Sequence, residues 1–166
     1  MPDILVLAKA LGGGLPLGAF VCSHKIARSF AVDPPLGHVT TFGGHPLSCA
    51  AGLASLDIIL SERLAERSET IGARFEVILR NRLSGPLLQE IRRAGLLIGL
   101  QMKNSAVAQS FTEQCRSERL IVGWTLHDDS VVRLAPPLVI REEELEEAAL
   151  RMQRALARVN RPTRNS

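Results

Sequence analysis

The chain has 166 residues, enough for one ordinary domain or a small domain plus part of another. Apolar residues make up 46% and aromatics only 4%, so a core is available and must be aliphatic, built from Leu, Ile, Val and Ala. The net charge of +3 is spread as Arg beside Glu with no basic, aromatic-bearing stripe, which argues against nucleic-acid binding, and no apolar run is long enough to span a membrane.

"ILVLA" at 4–8 is a continuous aliphatic run that predicts a strand buried on both faces, as in a parallel sheet. Asp3 and Lys9 around it, with no basic run before it, make this stretch itself unlike a secretory signal. "GAFVCS" at 18–23 predicts a second such strand, residues 24–30 a turn or two of helix, and the Pro- and Gly-broken stretch 31–46 a loop. From Pro46 to Leu60 the pattern is helical, with Pro46 in the first turn and apolar stripes on both sides, which predicts a buried helix. Glu62 to Leu83 reads as an amphipathic helix capped by Ser61.

"LLQEIRRAGLLIGLQM" at 87–102 reads as two strands around Ala94 and Gly95. Residues 106–119 read as a helix with Val107, Phe111 and Cys115 inward. Strands follow at 120–126 and 130–135, joined through a turn at His127–Asp129, and Pro136 and Pro137 end the second. A last helix starts near Glu142, acidic in its first turn, with Leu145, Ala149, Met152, Leu156 and Val159 on one face. The fold class is α/β in two parts: residues 1–61 as the end of a larger α/β layer, and 62–160 as a small α/β domain, with 161–166 a disordered tail. Two short strands and one buried helix cannot cover one another, so the chain is expected to be the C-terminal portion of something longer.

Cys22, Cys49 and Cys115 are odd in number and lack a Cys-x-x-Cys spacing, which points to a reducing cytoplasm and away from a disulfide framework or a zinc site. His38, His45 and His127 share no metal-ligand spacing, so no metal site is expected. Lys9 ends an apolar run and precedes Gly12, Gly13 and Gly14, which let backbone or a ligand approach closely. It reads either as a solvated strand-end lysine or as an amine desolvated for attack on a carbonyl. "HVTTFGGHP" at 38–46 reads either as a turn-rich loop or as an anion site, with Thr40, Thr41 and glycine N–H groups before a helix start. Arg133 lies inside an apolar strand, as a structural ion-pair partner or as a fork for a carboxylate.

In this order the segments resemble class III pyridoxal-phosphate aminotransferases of the ornithine and acetylornithine type. "PDILVLAKALGGGLPLGAF" resembles that family's cofactor-lysine segment, "GHVTTFGGHPLSCAAGLASL" its threonine–glycine–glycine segment, and "RLAPPLVIREEEL" its carboxylate-binding strand. The resemblance implies a fold-type I transferase: the end of the large-domain sheet, then a small C-terminal α/β domain. It implies transfer of an amino group from an amino acid or amine to a 2-oxo acid, in a cytoplasmic homodimer. Lys9 would form a Schiff base with pyridoxal phosphate and shuttle a proton, Thr41 with Thr40 beside it would hold the phosphate across a dimer interface, and Arg133 would bind the substrate carboxylate. His45 stands where many relatives have Asn. The family's N-terminal half, with its glycine-rich phosphate turn and pyridinium-pairing aspartate, is missing, as in a truncated product, a misplaced start or an excised segment. Transamination is therefore not expected of this chain alone. A related isomerase or decarboxylase, or a non-catalytic remnant acting as an interaction module, are the alternatives.

Overall fold

Period-two and period-3.6 apolar patterns alternate along the chain, and the computed structural model sorts them into strands and helices over the described residues, 2–33, 35 and 37–159. The expected tail at 161–166 lies outside these residues. The chain divides after Arg63 into two units.

In the first unit, β1 (Ile4–Leu7) pairs with β2 (Ala19–Cys22), Ile4 opposite Cys22 and Leu7 opposite Ala19. The pairing is antiparallel, which corrects the parallel expectation. The physical reason is the connection: residues 8–18 are fewer than the dozen or so that a parallel crossover requires. A short helix α1 (His24–Ala27) follows, its first turn capped by Ser23, whose Oγ accepts the Ile26 N–H at 3.3 Å. Helix α2 (Pro46–Ser61) has Pro46 in its first turn, as expected. Burial differs from expectation. Both strands are exposed apart from the half-buried Cys22, and α2 buries only Gly52, while Leu47, Leu53, Leu56, Ile58 and Leu60 face outward. An all-round apolar helix is buried only where layers stand on every side of it.

The second unit is a two-layer α/β arrangement. Helix α3 (Leu64–Arg82) starts without Ser61, which belongs to α2 and donates its hydroxyl back to Ile58 O at 3.4 Å. Strands β3 (Leu88–Ala94) and β4 (Leu97–Met102) form a hairpin around Gly95, a left-handed position at φ +59° that favours glycine. Helix α4 (Ser105–Ser117) is capped by Asn104, whose Oδ1 accepts the Val107 N–H at 3.0 Å. Strand β5 is only Gly123–Trp124, shorter than the run 120–126 suggested, and β6 is Val131–Leu134. Helix α5 (Glu142–Val159) completes the unit. The sheet order is β3-β4-β6-β5, antiparallel throughout. One face carries Ile91, Ile98, Leu100, Val132 and Leu134 into the core against Phe75, Leu79, Phe111, Leu145 and Met152 of the three helices.

Ion pairs tie α3 to the sheet. Arg93 on β3 reaches Glu69 at 2.6 Å and Glu76 at 2.9 Å. The hydrogen bond from Arg80, reinforced by Arg93, holds the Glu76 carboxyl below its usual range. Arg67 donates to Leu138 O and to Ile140 O, the latter at 2.6 Å, pinning the segment after the double proline.

Candidate active site

Lys9 opens a 3-10 turn, Lys9–Gly12, directly after the extended Ala8. Its φ is +57°, a left-handed conformation that costs a non-glycine residue roughly 1 kcal/mol or more. The side chain is exposed and makes no hydrogen bond or ion pair among the described residues. The structure thus corrects the buried-strand setting. Lys9 stands beyond the strand, on a turn.

The glycines after it act differently from one another. A Cβ on Gly13 would lie 2.5 Å from Ala51 O, and one on Gly52 would lie 2.7 Å from Leu11 O. Gly13 and Gly52 therefore let the lysine turn seat directly on α2, and only Gly14 of the triplet faces open space. The room expected beside Lys9 is largely taken up by this contact.

The second segment also folds as a defined loop. The Thr40 hydroxyl occupies the place of a side chain on Gly43, where a Cβ would lie 1.9 Å from Oγ1. Gly44 is left-handed at φ +67°. His45, whose role the sequence left open, caps α2: its Nδ1 accepts the Leu47 N–H at 3.3 Å. Thr40, Gly43 and Gly44 line an open groove of about 1020 Å³ together with Leu7, the last residue of β1, and Ala8 before the lysine turn. Neither Lys9 nor Thr41 is among the lining residues, and both are exposed. The same groove is lined by an aromatic trio that sequence reasoning missed. His38 meets Phe20 edge-on at 5.5 Å and Phe30 at 5.6 Å, and the two phenylalanines stand 5.6 Å apart. The only signal for it was four rings, His24 among them, spread over the run 20–38, which no periodicity connects.

Arg133 lies in the second unit, on the exposed face of β6. It has no ion-pair partner among the described residues, so the structural ion pair weighed from sequence is absent there. Its guanidinium lies along Gly123, where a Cβ would meet Nε at 3.3 Å and Nη2 at 3.4 Å. It borders a groove of about 400 Å³ with Ala135, Pro136 and Pro137. The turn before β6 is fixed by Asp128, whose Oδ1 accepts the Ser130 hydroxyl at 2.5 Å and the Ser130 N–H at 2.9 Å. Those bonds hold the Asp128 carboxyl below its usual range. No group of three metal-ligating side chains stands together among the described residues, and no helix is long and apolar enough to cross a membrane.

Comparison with known proteins places these segments in context. Residues 1–156 match the family described as Aminotransferase class-III. An ornithine aminotransferase from Geobacillus sp. (strain WCH70) is 40% identical over 160 residues, which are 96% of this chain and 38% of that protein. The ornithine aminotransferase of Bacillus subtilis (strain 168) is 36% identical over 94% of this chain and 37% of its own length. Among solved structures, the ornithine aminotransferase of Toxoplasma gondii, with partial occupancy of PLP at its active site, superposes with a TM-score of 0.83 at 33% identity, over 95% of this chain and 37% of that one. A Bacillus anthracis aminotransferase gives a TM-score of 0.84 at 32% identity, over 95% of this chain and 39% of the other. The chain thus spans well under half the length of the relatives it matches.

Proposed function

Since this chain belongs to the class-III aminotransferases, a family that uses pyridoxal phosphate, we propose that it supplies the cofactor lysine, the phosphate loop and the substrate-carboxylate arginine of a transaminase. In this reading residues 1–61 complete the large cofactor-binding domain and 62–160 form the small C-terminal domain. The observation that carries the reading is Lys9: an exposed amine, without a partner among the described residues, held at a strained φ of +57° on a turn that glycine seats against α2.

The residues present fit the two reactive ends of the cofactor. A primary amine suits its aldehyde, and two adjacent hydroxyls beside glycine N–H groups at the start of α2 suit its phosphate. When bound, pyridoxal phosphate supplies an electron sink for the substrate α-carbon. Lys9 Nζ would hold the aldehyde carbon and, as a free amine, take and return the proton at the substrate α-carbon. The hydroxyls of Thr40 and Thr41 would donate to phosphate oxygens, with Thr41 reaching a second subunit of a homodimer. The guanidinium of Arg133, without an ion-pair partner among the described residues, would grip the substrate carboxylate with two parallel N–H donors.

The reaction would carry an amino group from an amino acid or amine to a 2-oxo acid, and similarity to ornithine aminotransferases supports a diamino-acid donor. The relatives are more than twice as long, so turnover is proposed to require the remainder of such a protein. Borohydride reduction of the chain with pyridoxal phosphate tests the reading. Peptide mapping should find the label on Lys9 ahead of the other two lysines, Lys25 and Lys103. Equal labelling of all three would refute the assignment, and turnover of an amino donor by this chain alone would refute the need for the rest.

A further inference from the structure

Among the described residues β1 has a single partner, β2, and the sheet ends there. No backbone hydrogen bond among those residues reaches the outer edge of β1. Edges of this kind are usually blunted by a charge, a proline or a bulge within the strand. Ile4–Leu7 has none of these: its four side chains are apolar and exposed, and its register with β2 runs without a shift. A hairpin of two strands is marginal in water, and a third strand is needed for independent stability. An added strand therefore stabilises this unit.

The ends of β1 select which strand that is. Asp3 stands directly before it and Lys9 two residues after it, both exposed and neither in an ion pair among the described residues. Six steps of about 3.3 Å hold them roughly 20 Å apart, so they cannot meet within one copy. A second copy laid antiparallel on the outer edge, overlapping all four strand residues, sets Ile4 against Leu7 and Leu5 against Val6. Asp3 then falls opposite Ala8 of the copy, next to its Lys9, and two-fold symmetry repeats the pair at the other end. A parallel copy would set Asp3 on Asp3 and Lys9 on Lys9, which repel. Residues 1–63 hold four acidic residues and four Lys or Arg, a formal charge of zero, so no net charge keeps two copies of this unit apart. The outer edge of β2 lacks charged ends, since Gly18 and Ser23 flank it.

We propose that β1 pairs antiparallel with β1 of a second copy, making a four-stranded sheet in the order β2-β1-β1-β2 with an Asp3–Lys9 ion pair at each end. The contact uses neither Thr40 nor Thr41. Four residues a side are far fewer than the roughly 20–30 of a standard interface, so the dimer is weak, with a Kd on the order of 100 µM. Sedimentation velocity of the full chain from about 10 to about 500 µM should show a monomer–dimer equilibrium. Carbodiimide coupling of an equal mixture of unlabelled and heavy-isotope-labelled chains should yield an amide joining Asp3 of one isotope to Lys9 of the other. Asp3→Lys should weaken the dimer about 10-fold, the worth of two exposed pairs, and combining it with Lys9→Asp should restore it. Aspartate tolerates the left-handed φ at position 9. The coupling is read on the unmodified chain, so it decides even where a variant unfolds. A monomer at every concentration, a dimer without the Asp3–Lys9 amide and insensitive to Asp3→Lys, or growth beyond two copies would each overturn the proposal.

Discussion

Gly72, in the middle of α3, separates two expectations of opposite sign. Helix propensity alone says that Gly72→Ala stabilises the chain by up to about 1 kcal/mol. The packing says otherwise. A Cβ there would lie 2.0 Å from Gly95 O and 2.5 Å from Gly95 C, in the β3–β4 turn. Both atoms are backbone, so no rotamer change relieves the clash, and α3 must move away from the sheet. Overpacking of this kind costs about 1–3 kcal/mol, and a backbone contact this short belongs at or beyond the top of that range. The net expectation is a loss of about 2 kcal/mol, or roughly 10 °C in Tm for a unit of about 100 residues. The assay is urea and thermal unfolding of the full chain, read through the fluorescence of its single tryptophan, Trp124, which lies in this unit. Gly99→Ala is the control, since its nearest neighbours would be at ordinary contact distances of 3.5 to 3.7 Å, and it should stay within about 0.5 kcal/mol of the parent. A Gly72→Ala chain as stable as the parent or more stable would refute the packing argument.

Burial pushes the Cys115 thiol up to about 12, so in the folded chain at pH 8 it should resist thiol reagents while the exposed Cys49 reacts at once. Timed mass mapping of the modified cysteines checks this, and early labelling of Cys115 would contradict it. The same shift has a pH consequence: the unfolded thiol ionises near 9 and the folded one near 12, so this contribution is complete below pH 9 and is lost as pH rises towards 12. Glu76 has the opposite sign. Its carboxyl is held low by Arg80 and Arg93, so its contribution is present above the unfolded value of about 4.3 and is lost as pH falls below it. Glu76→Gln should flatten the acid limb of a Tm-against-pH curve, and an unchanged limb would show that the pairing contributes nothing.

Much of the architecture was legible in the residues. Apolar spacing located the helices from Pro46, around Phe111 and after Glu142, and Gly95 marked the hairpin turn. The motif order pointed to a family to which the chain indeed belongs. Capping was legible less consistently, because a cap depends on where the preceding helix ends. Ser61 has the right chemistry, yet it is spent inside α2.

The sequence by itself determined which segments are apolar and at what period, because side-chain direction follows local backbone geometry: opposite faces in a strand, every third or fourth residue in a helix. It also named Lys9, Thr40, Thr41 and Arg133 as the groups with chemistry to offer. Only the tertiary structure decided what each meets. The antiparallel pairing of β1 with β2, the seating of the lysine turn on α2 through Gly13 and Gly52, and the row that sets Arg92 level with Arg133 across Gly99 all join residues distant in the chain. No local period encodes such contacts, since they arise from strand register and close backbone approach between elements that fold separately and then pack.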